Sequence, residues 1–306
     1  MSAGVTIALD VGGTKVAGAL IDRNHSIVAR AQRSTLVDGR RDPALRVTRA
    51  IAHELAGRAA ELGLDVDGLG AGFPEYVHPS GRLASHEVLE WTDQPLDVLA
   101  DLGPVTIDSD VRCAALGEGV AGVAQGLASY AFVIVGTGLS YALVERDEAR
   151  AGARGEAIGL GELEVSKRVD PDTTLSLERY ASGEGIRERY LAAGGRAVDG
   201  AAPVFELAAQ GDSLAAATLD SAARAVGTAL ATVASLIDPG AFVLGGGVSS
   251  SGAQWRATVE QAYQARAGAR PDPPPVLWAT LGSDAGIIGA AIAHRQHLAR
   301  LVETDG

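Results

Sequence analysis

Short apolar runs alternate with longer stretches of helical spacing along the whole chain. Val5–Leu9 is apolar and stops at Asp10 and Gly12–Gly13, and Val16–Ile21 and Ser26–Gln32 follow as further runs. Two such runs joined by a tight glycine turn predict a β-hairpin. Leu45, Val47, Ile51 and Leu55, with charges between them, predict a helix over Pro43–Leu62 that ends near Gly63. Leu69–Phe73 reads as a strand stopped by Pro74, Val105–Ile107 as a short strand running into Asp108, and Val111–Val120 as a helix. The opening pattern then returns. Ala131–Val135 is an apolar run, Gly136-Thr137-Gly138 a turn, and Tyr141–Glu145 a second run. Helices are predicted over Leu177–Ala193, Pro203–Gln210, Ser213–Ile237, Trp255–Ala265 and Ala285–Leu301. Strands are predicted at Ala241–Leu244 and Val276–Thr280, the second after a stiff Pro271–Pro275 connection, and Glu303–Gly306 is expected to fray.

Alternating strands and helices place the chain in the α/β class. The two similar openings predict two related domains facing a ligand cleft. The expected division is 1–118 plus 286–306, a smaller domain with the first glycine turn, and 119–285, a larger domain with the other two.

Composition sharpens this picture. The 306 residues suffice for two domains, and a hydrophobic fraction of 47% with 4% aromatics means a core of Ala, Val, Leu and Ile. The net charge of −12 argues against a nucleic-acid partner. A lone cysteine, Cys113, permits no intrachain disulfide and points to the cytoplasm. No basic, apolar leader and no apolar run of membrane-spanning length is expected.

Four segments carry candidate chemistry. In Asp10-Val11-Gly12-Gly13-Thr14-Lys15, glycines let backbone N–H groups approach phosphate oxygens, and Asp10 can hold the water shell of Mg²⁺. Gly136, Thr137 and Gly138 after a strand offer a second phosphate loop. Gly245, Gly246 and Gly247 after Phe242-Val243-Leu244 leave room for a flat base or a ribose. Ser109-Asp110 follows a strand and opens a helix, where a carboxylate can accept the proton of an attacking alcohol. Asp108 competes for that role, and Asp110 could instead cap the helix. Taken singly, the first segment could be a plain hairpin turn, and the third a flexible loop.

The order of these segments resembles the ROK family of sugar kinases and repressors. Gly72-Phe-Pro74, Ala114-Ala-Leu-Gly-Glu118, Leu177-Glu178-x-Tyr180-Ala-Ser-Gly183, Asp238-Pro239, Leu244-Gly-Gly-Gly-Val248, Asp284-Ala-Gly286 and Gly289-Ala290 extend the likeness from Ile7 to about Ala293. The resemblance implies an actin-like ATPase fold and transfer of phosphoryl from ATP to a sugar hydroxyl, usually at C6, with Asp110 as base. The family's repressors carry a helix-turn-helix before the first phosphate loop; here the first strand begins at once, so that role is not expected. A homodimer is expected.

The departures are equally specific. Ser109 stands where the family has Asn. Gly159-Leu-Gly-Glu162 replaces a Gly-Glu-x-Gly-His segment, so the sugar-binding Glu becomes Gly159 and the His shared by zinc and sugar becomes Glu162. Val169–Ser176, where the family's zinc loop belongs, has no Cys and no His, and no zinc is expected. Glu75 replaces a Gly after Pro74, and Ser140-Tyr141 replaces glycines after Gly138.

The resemblance places Pro74, Glu75, Ser109, Asp110, Glu162 and Glu178 around the sugar. A carboxylate gained where a His is lost suits an ammonium group, so an amino sugar such as kanosamine or glucosamine stands beside glucose as the expected acceptor. His78 and His86 are read as surface residues. Two other readings stay open: a catalytically silent sugar sensor, and a kinase that uses polyphosphate.

Overall fold

The computed structural model describes residues 4–268 and 270–304. The chain divides into two compact units. One comprises Met1–Gly126, Val144–Ile158 and Leu281–Gly306; the other comprises Leu127–Leu143 and Gly159–Thr280. The first unit is therefore the larger, and it takes in Val144–Ile158, a segment that the sequence reading placed in the other domain.

In the first unit β1 (Gly4–Val11), β2 (Lys15–Asp22), β3 (Ile27–Ser34), β4 (Asp65–Phe73) and β5 (Val105–Ser109) form a sheet in the order β3-β2-β1-β4-β5. β2 runs antiparallel to both neighbours, while β1, β4 and β5 are parallel. Alternation along β1 assigns its two faces. Val5, Ile7, Leu9 and Val11 join Ile51, Ala52 and Leu55 of α1 (Arg46–Glu61) in one core cluster. Ala8, on the opposite face, packs with Cys113 of α2 (Asp110–Ala121) and with Ile287, Ala290 and Ala291 of the C-terminal helix, Asp284–Thr304. That face is built of small residues, and the two helices cross closely: a Cβ on Gly289 would lie 1.6 Å from the Cys113 carbonyl oxygen. Asp10 has the parity of Ala8 and so shares the face covered by the C-terminal helix.

In the second unit β6 (Ser129–Val135), β7 (Leu139–Glu145, which leaves the unit after Leu143), β8 (Phe242–Gly245) and β9 (Val276–Trp278) form a sheet in the order β7-β6-β8-β9. The order repeats that of the first sheet: a returning strand, a central strand, then two that follow by crossover. β8 is parallel to both β6 and β9. The core gathers Val133, Val135, Phe242 and Leu244 with the Ala-rich helix Ser213–Leu236 and the helix Ala253–Ala267.

Three predicted elements differ in detail. The helix expected over Pro43–Leu62 is a 3-10 turn at Pro43–Leu45 followed by α1, because buried Asp42 accepts the Val47 and Thr48 amides and starts the helix late. Leu177–Ala193 splits into helices at Leu177–Ala181 and Gly183–Ala192, because Ser182 is extended and its hydroxyl caps the second by accepting the Gly185 N–H. The C-terminal helix runs to Thr304, and the rest of the segment expected to fray lies outside the described residues.

Candidate active site

The first glycine turn joins β1 to β2 and is closed by a 2.9 Å bond from the Gly12 amide to the Lys15 carbonyl. Thr35 pins the turn from outside: its hydroxyl donates to the Gly12 carbonyl at 2.7 Å and its amide to the Thr14 carbonyl at 3.0 Å. Thr14 and Lys15 are exposed, and Gly12 and Gly13 are partly so. A Cβ on Gly13 would lie 2.8 Å from Val88 Cγ1. Asp10 ends at the start of the C-terminal helix, where a Cβ on Gly286 would approach its carboxyl carbon to 2.9 Å. Burial raises the Asp10 pKa to about 6, against the opposing pull of Lys15.

β5 delivers Asp108, Ser109 and Asp110 to the same end of the sheet. Asp108 is not free to act: it is paired with the guanidinium of Arg112, which is buried and also donates to the carbonyls of Gly155 and Val77, each at 3.1 Å. Ser109 is the cap of α2, its hydroxyl accepting the Arg112 amide at 3.4 Å. Asp110 is therefore the first helical residue rather than the cap considered from sequence. One of its oxygens accepts the Val111 N–H at 2.6 Å. Its pKa is raised to about 7, first by burial and then by the charge of Asp10, with a smaller push from Glu75. Gly72 makes room behind it: a Cβ there would lie 3.1 Å from Asp110 Cα. Two acids of raised pKa thus stand at strand ends of one sheet, on either side of β4, and the charge of Asp10 bears on Asp110.

Pro74 and Glu75 follow β4. Glu75 is buried at 2% exposure, and its carboxylate accepts four donors: Ser85 Oγ at 2.6 Å and the amides of Glu87, Val88 and Leu89 at 2.7, 3.0 and 2.9 Å. These oxygens are engaged by the chain itself, so the sugar contact expected of Glu75 gives way to an anchoring role. His86 is exposed and stacks on Trp91, with ring centroids 4.0 Å apart.

In the second unit Gly136–Gly138 joins β6 to β7, closed by a 2.9 Å bond from the Gly136 amide to the Gly138 carbonyl. The Gly183 and Glu184 amides donate to the carbonyls of Gly136 and Thr137 at 2.7 and 3.2 Å. Gly246 adopts a φ of 93°, and a Cβ on it would lie 2.4 Å from the Val135 carbonyl oxygen. Gly245–Gly247 and Gly136–Gly138 thus meet. Glu178 accepts the Leu139 N–H at 3.0 Å. A Cβ on Gly161 would lie 2.9 Å from Glu178 Cβ, which places the 3-10 turn bearing exposed Glu162 beside Glu178. Glu162, Glu178, Gly138 and Gly246 therefore belong to one neighbourhood of this unit.

The loop in the place of the family's zinc loop is held by Asp170. Its Oδ1 accepts the Asp172 and Thr173 amides at 3.2 Å, and its Oδ2 accepts the Tyr180 hydroxyl at 3.0 Å. Among the described residues no group of three or more His, Cys, Asp or Glu side chains is arranged to hold a metal ion. Thr35, Val88, Arg112 and Asp170 escaped sequence reasoning. Arg112 alone carried a legible signal, lying four residues after Asp108 on a helix.

Comparisons with known proteins identify the family and the fold. The ROK family description matches residues 6–297. The glucokinase of Streptomyces coelicolor is 30% identical over 96% of this chain and 98% of its own length. The N-acetylgalactosamine kinase AgaK of a Shewanella species is 30% identical over 93% of this chain and 94% of its own. The crystal structure of a ROK family glucokinase from Streptomyces griseus, in complex with glucose and AMPPNP, is 31% identical with a TM-score of 0.78, covering 96% of this chain and 100% of that one. The α/β sheets with their repeated order are those of the actin-like ATPase fold. With the motifs in sequence from the first hairpin to the C-terminal helix, and a match over nearly all its length, this chain belongs to the ROK family.

Proposed function

We propose that the chain is an ATP-dependent sugar kinase that transfers the γ-phosphoryl group to a hexose hydroxyl, at C6, with Asp110 as general base. One observation carries the reading. Of the two carboxylates that β5 offers, Asp108 is neutralised by Arg112, while Asp110 is held at the strand end with a pKa of about 7. A carboxyl tuned to that value can take a hydroxyl proton as the alcohol oxygen attacks phosphorus, and return it to water at neutral pH. Gly12, Gly13, Thr14 and Lys15 would orient the transferred phosphates. Gly136–Gly138 would bind the other phosphates and Gly245–Gly247 the adenosine. Asp10, partly exposed at the end of β1, is the residue that would hold Mg²⁺ through water; the ion, when bound, neutralises charge on the phosphate oxygens. Kinases for both glucose and N-acetylated hexosamines are among the relatives, which supports a hexose acceptor.

For the sugar itself, Glu178 and Glu162 are the proposed contacts, with Pro74 and Ser109 shaping the acceptor side. The substitution of a carboxylate at Glu162 favours a free amine on the ring, because an ammonium–carboxylate hydrogen bond is stronger than one to a neutral hydroxyl. The test is coupled ADP release against glucose, glucosamine, kanosamine, mannose and N-acetylated hexosamines, for the natural chain and Glu162→Gln. The amine reading expects a free-amine sugar to be preferred and the preference to fall about tenfold in Glu162→Gln, the size of one charge-assisted bond of about 1.4 kcal/mol. Glucose used at least as well as every amino sugar would sink the amine and leave the kinase.

A further inference from the structure

The first glycine turn is supported by a loop that Glu75 holds in place. The loop Ser85–Leu89 has no regular secondary structure, and nothing in its own backbone pattern fixes it. What fixes it is the buried Glu75 carboxylate, which gathers the Ser85 hydroxyl and three successive amides, Glu87 to Leu89. Leaving those donors unpaired away from water would cost more than the bonds themselves contribute, so the loop has one setting while Glu75 is present. Two further contacts fix its far end: Trp91 Nε1 donates to the Ser85 carbonyl at 2.9 Å, and the ring of Trp91 stacks on His86.

The consequence falls on Gly13. The amide that Glu75 Oε1 holds at 3.0 Å is that of Val88, whose Cγ1 would stand 2.8 Å from a Cβ at Gly13. Gly13 has no positive φ to require glycine, and among the described residues Val88 is the one neighbour that a Cβ there would meet closely. The turn therefore passes close to the Val88 side chain and is bonded to Thr35.

We infer that Glu75 is a positioning residue for the phosphate turn, acting through the backbone of Glu87–Leu89 and the side chain of Val88 on Gly13. The inference rests on the kinase reading for its meaning but not for its test. A phosphate loop displaced by a fraction of an ångström loses much of its orienting power, and a 1 Å error can cost about 100-fold in rate. Loosening the support should weaken nucleotide handling and leave the sugar alone.

The experiment measures equilibrium binding of Mg²⁺–AMPPNP and of glucose by calorimetry, with turnover recorded separately, in the natural chain, Glu75→Gln and Val88→Ala. Glu75→Gln puts an amide NH₂ against N–H donors at one of the two oxygen positions. We expect it to weaken AMPPNP binding by about tenfold and to lower kcat, with glucose affinity within about twofold. Val88→Ala, which leaves the hydrogen bonds intact, should show the same split at a smaller size, and it decides the matter if Glu75→Gln does not fold. In Gly13→Ala, a second change of Val88→Ala should restore at least part of the lost AMPPNP affinity, because the obstructing methyl groups are gone. Unchanged AMPPNP binding in both support variants, equal losses for nucleotide and sugar, or no recovery in the double variant would each overturn the role. A natural chain that binds AMPPNP but turns over no sugar would defeat the kinase reading instead, while the binding split still judges Glu75.

Discussion

The two glycine hairpins occupy the same place in two sheets of the same order, yet they are held in different ways. The first, Gly12–Lys15, is braced by Thr35 and by Val88, whose position is set by a buried carboxylate. The second, Gly136–Gly138, is braced by backbone: its carbonyls take the amides that open the helix Gly183–Ala192, and its nearest carboxylate is the exposed Glu178. The two acids of raised pKa, Asp10 and Asp110, belong to the sheet of the first hairpin, whereas Glu162, Glu178 and Gly245–Gly247 lie beside the second. Sheets of like order therefore hold their glycine turns by different means, and the proposed general base belongs to the first unit alone.

The sharpest way to break this comparison is to remove the acid on one side. Asp110→Asn should lower kcat by about 10²- to 10⁴-fold, the range of a general base, with nucleotide affinity largely kept. The same change should stabilise the fold. Asp110 deprotonates near 3.8 in the unfolded chain and near 7 in the folded one, so the folded state holds an extra proton between those values. Stability is fully present below about pH 4, declines as pH rises to about 7, and stays at the lower level beyond. Asp110→Asn should thus gain on the order of 1–3 kcal/mol at pH 8 and nothing at pH 3.5, as read by denaturant unfolding.

The next effect is on the pH profile. With Asp10 near 6 and Asp110 near 7, kcat/KM for the sugar should fall on the acid side with an apparent pKa between those values. An acid limb near 4 would mean that the base lies elsewhere. A smaller contrast compares the hairpins directly. Gly13→Ala meets a side chain held in place and should cost about tenfold in kcat/KM for ATP. Gly138→Ala meets the movable end of Glu178, 2.5 Å from the new Cβ, and should cost about threefold. Equal losses would remove the distinction. The smallest effect concerns the loop held by Asp170. Asp170→Ala should lower stability by about 1–3 kcal/mol through its unpaired donors, and a zinc-specific chelator in Mg²⁺ buffer should leave activity unchanged.

Much of this was legible in the residues. Alternation and glycine turns gave every long strand of both sheets, because a strand end, an acid and two glycines leave the backbone few alternatives. The likeness of Ile7–Lys15 to Val133–Gly138 suggested two related halves, but the strand order of each sheet came only from the structure. So did the limits of the units, since Val144–Ile158 joins the first unit through contacts distant in sequence. The helix breaks at Leu45 and Ser182 were missed because single capping side chains set them, against otherwise continuous helical spacing. In the site, Asp10 and Asp110 could be named but not ranked over Asp108, since its neutralisation by Arg112 is a packing event. Glu75 shows the opposite case. Its position in sequence suggested the sugar, and only the four donors around it show that it serves the chain's own loop.

The central claim is tested most directly by ADP release under Mg²⁺–ATP and a saturating hexose, for the natural chain and Asp110→Asn side by side, with AMPPNP affinity measured on both. The account predicts sugar-dependent turnover in the natural chain, lost by at least about 100-fold in Asp110→Asn at unchanged AMPPNP affinity. Sugar-dependent turnover that survives the substitution, or AMPPNP binding without turnover on any hexose, would contradict it.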